Sequence, residues 1–568
     1  MLGIIQFKNL FFVATVELVL GVFITLCDTA IAGYIADETG VSAMNVLTPV
    51  ITVIIFAATM IAFGSSVCYG NAMGKADKDR ADKIFGTGLI VLIVFGIAAF
   101  ITVSFGFNIY VDYLDINAKI IYYASEYLYY YKFVILIDAV CTFIGIMIAN
   151  DGGESIANIS NILAIGGNLI LSIFLASSFG LNMGITEVSL GTLLSKFLRL
   201  AILSFHFFSK RNSLHAKAFF SFNYLWDFIK KGFADSQMFL SASILHMILN
   251  KFVIYRFGDF YLPVLYIAVA FIEMTIIFDG VAEAFMPFAS VYYSENNYPA
   301  FYKLSKFAFT ISIIEGVVSS FLVFYFAEYI PLFFNIKEPE LIACTITVVR
   351  IMSTTLILSS VLYFFETYYV IQNKLLVSFL SSTLRNFVLI LAISIPLSLI
   401  FGFTNMWWGV ALSPLATLII CAFIIYIRYG KKDFPFYIDD KGLIADFNLI
   451  LSPSTIMNTQ REIEIFLKKN SIPSEKILRI MLIVEETGIL IYEKNRNKKI
   501  IAEMTVIINK DKNLVRLIIR DNGEIFNITD ADNEIKSLNS YVVSRLMNRL
   551  RIRKNITTTS LNRNIFDF

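Results

Sequence analysis

The sequence has few charged residues, which soluble proteins use to cover their surfaces. Asp, Glu, Lys and Arg make up 16% of its 568 residues, against about 25% in soluble domains, and 57% of the residues are hydrophobic. The mean hydropathy is +0.72. These values exclude an ordinary soluble protein and predict a polytopic membrane protein. A formal net charge of +2 gives no reason to expect nucleic acid as a partner.

Cysteine is also scarce, with five residues in the whole chain. The cysteines stand singly within apolar runs, without CxxC pairs or histidines at ligand spacing. The sequence therefore predicts neither a disulfide framework nor a metal site. Single cysteines of this kind pack as small apolar residues, and we expect no cofactor to be required.

Long apolar runs fill the first 430 residues. A helix needs about 20 residues to cross about 30 Å of hydrocarbon, and on that rule the sequence predicts twelve membrane spans. The spans cover residues 10–34, 43–70, 85–107, 118–149, 156–178, 183–208, 232–256, 261–291, 304–328, 341–371, 376–400 and 406–429. An even number of spans returns both ends of this region to one side of the membrane.

Lysine and arginine indicate which side this is, because they concentrate in cytoplasmic loops. The connections after spans 2, 6 and 8 are basic, at residues 75–83, 210–231 and 303–306. The connections after spans 1, 3 and 9 instead carry acidic residues, such as Asp37 and Glu38. The pattern predicts that both termini are cytoplasmic, and we expect the protein in a bacterial plasma membrane.

The long basic connection at residues 207–231 divides the spans into six and six. A duplicated unit with an even number of spans keeps its orientation in the membrane. We therefore predict an all-α membrane region of two six-helix bundles, residues 1–215 and 216–430, named here the first and second halves. A linker at 431–444 precedes a soluble α/β domain at 445–568, named here the tail.

Several residues of the membrane region resemble multidrug and toxic compound extrusion (MATE) transporters. They are the stretch 28–33 in span 1, the pattern Gly64 to Gly74 before a basic loop, Asn168 in span 5 and the stretch 284–287 in span 8. The resemblance implies two bundles facing each other across a cavity that opens alternately to the two sides. It also implies antiport, in which protons or sodium ions drive the export of amphiphilic organic cations.

Carboxylates within a membrane are costly and are functional candidates by default. Asp28 matches the acid that MATE proteins carry in their first helix. Asp279 and Glu283 are four residues apart and therefore share one helix face. Together the candidate ion-coupling and substrate-binding residues are Asp28, Glu273, Asp279, Glu283, Asn168 and Asn250. Two alternatives stay open: Asp28 and Glu283 are hydrated near helix ends, and Glu273 pairs with His246 or Lys251.

The tail alternates between strand and helix patterns. Strands are predicted at residues 444–451, 500–508, 514–520 and 563–568, and helices at 459–470, 474–493 and 538–550. Val515, Leu517 and Ile519 alternate with polar residues, which indicates a sheet with one covered face. The sequence thus predicts a two-layer α/β sandwich, with a turn at residues 521–523.

Three stretches of the tail, residues 484–486, 520–527 and 557–564, resemble the GHKL ATP-binding fold of anti-sigma-factor serine kinases. The resemblance implies that Glu486 corresponds to the activating glutamate, and that Asp521 and Gly523 contact adenine. The family's Mg²⁺-binding asparagine stands four residues after this glutamate, where this chain has Leu490, or Ile489 if Glu485 is the matching residue. We therefore expect no kinase or ATPase chemistry and a regulatory role, with ATP and Mg²⁺ binding left open. A cytoplasmic regulatory protein is a possible partner of residues 445–568.

Three functions fit these observations. The leading hypothesis is a secondary antiporter, not an enzyme, that exports small organic molecules through a lipid membrane. The first alternative is a lipid-linked oligosaccharide flippase, which would need a cavity rich in Arg and Lys to bind pyrophosphate. The second is a membrane sensor that signals through its tail, which would need the tail to bind ATP and phosphorylate a partner.

Overall fold

In the computed structural model of this chain the membrane region is helical and the tail contains a sheet. The structure describes residues 2–74, 77–176, 184–208, 212, 214–215, 217, 219–430, 434–436, 443–496, 498–509, 513–524, 552–554 and 562–568. Within these residues, eleven helical segments are long and apolar enough to cross a membrane. This agrees with the predicted polytopic membrane protein.

The described residues of the first half form five α-helices. They are α1 (Leu2–Gly74), α2 (Lys78–Leu114), α3 (Ala118–Ile148), α4 (Glu154–Ala176) and α5 (Thr186–Ser204). At 1.5 Å per residue, the 73 residues of α1 would extend about 110 Å, far more than one crossing needs. Ala36 and Asp37 have non-helical backbone angles and divide α1 into two segments. Counting these segments separately gives the twelve predicted spans.

In the second half, the part of the chain that the structure describes forms nine α-helices, some of which are short. They are α6 (Phe222–Phe257), α7 (Leu262–Met274), α8 (Asp279–Ser294), α9 (Tyr298–Phe326), α10 (Ile330–Phe333), α11 (Pro339–Ile371), α12 (Leu375–Thr383), α13 (Leu389–Phe401) and α14 (Trp408–Arg428). Two predicted spans are interrupted. A 3₁₀ turn at Thr275–Phe278 separates α7 from α8, and a π-helical turn at Leu384–Val388 separates α12 from α13. Irregular turns of this kind are frequent at functional sites.

The two halves meet along the second segment of α1 and helix α6. A Cβ atom on Gly64 would lie 1.9 Å from the carbonyl oxygen of Phe228, and one on Gly232 would lie 1.8 Å from that of Met60. Only glycine allows the two backbones to approach this closely. Farther along the seam, Asn45 Nδ2 donates to Asn250 Oδ1 at 2.7 Å.

The described residues of the tail form a five-stranded sheet and two helices. The strands are β1 (Ile444–Ile450), β2 (Ile501–Asn509), β3 (Leu514–Asp521), β4 (Ile552–Lys554) and β5 (Asn562–Asp567), in the order β1-β2-β3-β5-β4. Each pair of neighbouring strands in this sheet is antiparallel. Helices α15 (Pro453–Lys469) and α16 (Ser474–Lys494) share a core with one face of the sheet.

The first tail helix begins six residues before its predicted start. Ser452 and Thr455 form a capping box, in which Thr455 N donates to Ser452 Oγ at 3.2 Å and Ser452 N donates to Thr455 Oγ1 at 3.0 Å. Pro453 occupies the first helical turn, where its missing N–H costs nothing. Strand β4 has no counterpart among the predicted strands, and the predicted helix at 538–550 lies outside the described residues.

Candidate functional site

The predicted residues Asp28 and Asn168 form one buried site in the first half. Asp28 lies in the first segment of α1 and is 9% exposed, and Asn168 lies in α4. Asn168 Nδ2 donates to both carboxylate oxygens of Asp28, at 3.2 Å and 3.1 Å. Ser172 Oγ donates to Asn168 Oδ1 at 3.2 Å, which turns the amide N–H groups toward Asp28. A buried carboxylate is thus held by an oriented amide donor.

Tyrosines surround this carboxylate from both halves. Tyr127 and Tyr131 of α3 and Tyr266 of α7 are buried or partly buried and lie within electrostatic range of Asp28. Thr29 Oγ1, next to Asp28, donates to the Tyr266 hydroxyl at 2.6 Å. The site therefore combines one negative charge with three nearby tyrosines and contacts both halves.

An internal ion pair lies beside this site. Lys196 Nζ of α5 is 2.6 Å from Asp138 Oδ1 of α3, and Arg199 Nη1 is 3.9 Å from the same oxygen. Lys196 is also close enough to act on Asp28 electrostatically. The sequence shows these charges in apolar spans, but only the fold pairs them. Asp138 is already bonded to Lys196, and Asp28 has no salt bridge among the described residues.

The second half contains a different charged pair, which the sequence did not single out as a site. Arg385 Nη2 lies 3.2 Å from each oxygen of Glu366, and Ser381 Oγ donates to Glu366 Oε1 at 2.9 Å. The guanidinium of Arg385 also lies over the ring of Tyr363, 4.0 Å from its centroid. Arg385 is 3% exposed, so the pair is shielded from water.

The predicted acids of span 8 lie at separate places. Asp279, at the start of α8, lies within electrostatic range of Glu366 and Arg385. Glu283, one turn later, is exposed and lies within electrostatic range of Asp279 and of Glu17 on α1. Glu273 precedes the 3₁₀ turn and has Oε1 3.3 Å from His246 Nε2.

The remaining predicted polar residue belongs to the helix seam. Asn250 is buried, accepts a hydrogen bond from the side chain of Asn45, and donates to the Asn45 carbonyl at 3.4 Å. Lys251, the other partner considered for Glu273, donates to the carbonyl of Tyr113 at 2.5 Å. The structure thus brings Asp28 and Asn168 together and places Asn250 in a packing contact.

Cavities lie among the helices of the membrane region, and one of them adjoins Arg385. One, of about 10 Å³, is lined by Thr355, Ser359 and Arg385 among others and has room for about one water molecule. The hydroxyl oxygens of Thr355 and Ser359 and the Nη1 atom of Arg385 are buried without a partner in the described residues. Another, of about 190 Å³, is apolar, and Phe23, Ile267 and Phe333 are among the residues that line it between α1 and the second half.

The predicted tail site is centred on Asp521 at the end of β3. The side chain is fully buried, and its Oδ1 accepts hydrogen bonds from Gly523 N at 2.9 Å and Asn562 Nδ2 at 2.8 Å. Its Oδ2 has no partner among the described residues. Burial raises the pKa of Asp521 to about 6, although both hydrogen bonds oppose this shift. A Cβ atom on Gly523 would lie 2.7 Å from Asn495 Nδ2, so a larger residue in this turn would displace the Asn495 side chain.

The other predicted tail residue, Glu486, lies on α16. Among the described residues it belongs to no group of His, Cys, Asp and Glu side chains that could hold a metal ion. Burial and the neighbouring Glu485 raise the pKa of Glu486. Leu490, one turn later, packs into the apolar core of the tail. Leu490, predicted to stand where the GHKL family has its magnesium ligand, therefore supplies no oxygen or nitrogen side-chain atom.

Comparisons with known proteins bear on the membrane region. A sequence profile of the MatE family matches residues 14–174. An inward-facing MATE multidrug resistance transporter of the MOP superfamily is 20% identical, with a TM-score of 0.65 over 72% of this chain and 95% of its own. The membrane region has the MATE fold.

Two further structures share this fold. The MATE multidrug transporter DinF-BH in complex with rhodamine 6G is 18% identical, with a TM-score of 0.62 over 76% of this chain and 96% of its own. A MOP superfamily transporter from Pyrococcus furiosus, described by the reverse polarity of its binding pocket, is 20% identical with a TM-score of 0.60 over 74% and 95%. A comparison with curated protein sequences finds no match.

Proposed function

We propose that this protein is a secondary active antiporter that exports organic, amphiphilic cations in exchange for protons or sodium ions. The observation that carries the proposal is the buried Asp28, bonded to Asn168 and surrounded by tyrosines within a MATE fold. A carboxylate in this setting can bind either a coupling ion or a cationic substrate, but one negative charge does not compensate both cations at once. Competition for one negative charge is the basis of exchange.

The surroundings of Asp28 suit an aromatic or amphiphilic cation. Ring faces attract cations, and Tyr127, Tyr131 and Tyr266 provide several of them near one carboxylate. The apolar cavity beside Phe23 offers space for the apolar part of such a molecule. Rhodamine 6G, present in the complex of the similar DinF-BH transporter, is therefore a suitable first probe.

Ion coupling is assigned to Asp28 of the first half and not to Glu366, because Glu366 is paired with Arg385 whereas Lys196, near Asp28, is paired with Asp138. The guanidinium of Arg385 is bonded to both oxygens of Glu366, so an incoming proton or sodium ion would have to displace it. Asp279 and Glu283 then serve as substrate contacts or as a route for ions. The same pairing argues against a flippase, since Glu366 neutralises Arg385 and Asp138 neutralises Lys196.

We assign the tail to the cytoplasm as a regulatory domain, with both termini on that side of a bacterial plasma membrane. The tail contacts Glu295 and Asn297, which directly precede α9, and the first turns of α9 carry the basic residues Lys303 and Lys306. Basic connections mark the cytoplasmic side. The unpartnered Oδ2 of Asp521 is the atom that would accept a hydrogen bond from an adenine amino group. Calorimetric titration of the full chain with ATP, with and without Mg²⁺, tests this site.

The transport proposal is tested in proteoliposomes loaded with rhodamine 6G. Uptake and counterflow are measured in a proton gradient, in a sodium gradient and with no gradient, for the wild type, Asp28→Asn and Asp112→Asn. Asp112 is an exposed acid in α2 and serves as the matched control. We expect gradient-driven movement in the wild type and in the control and its loss in Asp28→Asn. Rhodamine 6G movement at the same rate with and without each gradient would refute the antiporter proposal.

A further inference from the structure

One face of the tail sheet has an unusual environment. Helices α15 and α16 cover the face that carries Met504 and Leu517. The opposite face of such a two-layer domain usually meets water and carries polar residues. Here that face is also buried: Thr505 and Ile518 are fully buried, and Glu503 is 1% exposed. What covers it is the membrane region, at the connection between α8 and α9.

Glu295, the residue that follows α8, is the centre of this contact. Its carboxylate bonds to Arg520 of β3 and to Arg563 of β5, two residues that face each other across neighbouring strands. Arg520 Nη1 also donates to Glu503 Oε1 of β2 at 2.7 Å. Glu295 and Arg520 are almost completely buried, and Arg563 is largely buried. Four charges from the two domains therefore compensate one another out of contact with water.

Neutral side chains extend the same contact. The Tyr292 hydroxyl of α8 donates to Glu503 Oε2 at 2.9 Å, and the guanidinium of Arg520 lies 4.9 Å from the centre of the Tyr292 ring. Asn297 Nδ2 donates to Asp446 Oδ1 at 3.0 Å and to Thr505 Oγ1 at 3.2 Å. The contact therefore joins strands β1, β2 and β3 to the end of α8.

Asn297 also belongs to the next helix, because its Oδ1 accepts a hydrogen bond from Ala300 N and caps α9. The beginning of α1 reaches the same place, since a Cβ atom on Gly3 would lie 2.7 Å from the Tyr292 hydroxyl. Residues of α1 also contact β2, so the tail contacts the adjoining ends of helices from both halves. If the two halves separate on this side when the cavity opens, as the proposed transport function requires, the ends of α1 and α8 move apart.

The chemistry of this contact makes it switch-like. Removing one member of a buried charge cluster leaves the others desolvated and unpaired, which is far more costly than losing an exposed salt bridge. Water can relieve that cost only if the tail leaves the connection between α8 and α9. The contact is therefore either fully formed or released. It also acts on a functional helix, because Glu283 precedes Glu295 by twelve residues, about 18 Å along α8.

We propose that the tail is an intramolecular brake: it is anchored to the connection between α8 and α9 by the charge cluster at Glu295, it contacts the beginning of α1 through β2, and it thereby opposes opening of the cavity on the tail side. The brake rests on the proposed transport function. The regulatory contact is the charge cluster at Glu295, whereas the transport proposal depends on Asp28. Release of the tail from Glu295 increases the rate of transport.

The first test weakens the cluster from each side. Glu295→Ala alters the membrane region and Arg563→Ala alters the tail, so a folding defect peculiar to one variant does not decide the result. Glu475→Ala removes a carboxylate that pairs with Arg479 on the exposed surface of α16 and is the matched control. Coupling between sites typically changes an equilibrium by about 5-fold to 150-fold, and we expect both cluster variants to transport rhodamine 6G at least about fivefold faster than the control. Rates equal to or below the control in both variants would overturn the brake.

The second test locks the contact instead of releasing it. Asn297→Cys combined with Thr505→Cys places two thiols where side-chain atoms now lie 3.2 Å apart, and the five native cysteines are buried. Oxidation should join the tail to the connection, slow transport at least about fivefold, and be reversed by a reductant. Either single-cysteine variant controls for the oxidant.

The outcomes separate the two proposals. If the cross-linked and reduced proteins transport equally fast under a gradient, the brake is wrong while the antiporter stands. If the wild type moves rhodamine 6G at the same rate with and without each gradient, the antiporter is wrong, and the brake with it. If the two thiols do not join on oxidation although both react with a small thiol reagent when reduced, the docked contact itself is wrong.

Discussion

Replacing Arg385 by methionine removes the cation from a carboxylate that is largely buried. Arg385 and Glu366 are 3% and 13% exposed, and their bonds cross from the π-helical turn to α11. Breaking a buried pair by removing one partner costs about 3–5 kcal/mol, because the remaining charge stays desolvated. We therefore expect Arg385→Met, and separately Glu366→Met, to reduce the free energy of unfolding of the second half by that amount.

The double variant Glu366→Met/Arg385→Met gives the sharper result. With both charges gone, well-packed apolar side chains are neutral or stabilising by about 1–4 kcal/mol relative to such a pair. The costs of the two single variants should therefore not add. Because coupling is assigned to Asp28, the double variant should also keep gradient-driven transport.

Unfolding in mixed micelles of increasing denaturing-detergent content, followed by tryptophan fluorescence, measures these free energies. Trp407, next to α14, is fully buried and reports on the second half. Glu328→Ala is the control, because Glu328 pairs with Arg350 at 2.7 Å but is 66% exposed. Exposed pairs contribute about 0–1 kcal/mol. Single variants of Glu366 and Arg385 that cost no more than this control would refute the reasoning.

Three further predictions concern other parts of the chain. Asn168→Ala should lower the rate of rhodamine 6G transport, because both Asp28 oxygens lose their amide donor; an unchanged rate in proteoliposomes would contradict this role. Gly232→Ala should destabilise the α1–α6 seam by about 1–3 kcal/mol through overpacking, whereas Gly166→Ala in open space on α4 should not, as measured by the same detergent unfolding. Asp521→Asn should stabilise the tail. The pKa of Asp521 rises from 3.8 to about 6 on folding, so its contribution to stability is present below about pH 4 and is lost as the pH rises through about 6. At a pH of about 8 the gain in stability from Asp521→Asn should approach about 3 kcal/mol. Hydrogen exchange of the β3 amides, compared between Asp521→Asn and the wild type, measures this gain. If the substitution slows exchange no more at a pH of about 8 than at a pH of about 5, this account is wrong.

The membrane spans could be predicted because their signal is local. Runs of about 20 apolar residues define them, and the acidic residues at 37–38 mark the bend in α1. The interruptions within spans could not be predicted in this way. Thr275–Phe278 and Leu384–Val388 contain no proline or glycine, and their irregular geometry depends on neighbouring helices.

The candidate sites were predictable residue by residue but not as assemblies. Asp28 and Asn168 are 140 residues apart, and nothing local shows that they bond. Arg385 and Glu366 are only two of many charges in apolar runs. In the tail, Arg516 and Arg520 alternate with apolar residues as on any solvated sheet face, so no local pattern indicates that Arg520 binds Glu295.

The central claim is that the buried carboxylate of Asp28 binds coupling ion and substrate in turn. Counterflow of rhodamine 6G in proteoliposomes under an imposed proton or sodium gradient tests it most directly, with Asp28→Asn beside the wild type. We predict that one gradient drives accumulation in the wild type and that neither does in Asp28→Asn. Equal gradient-driven accumulation in the two proteins would contradict the account.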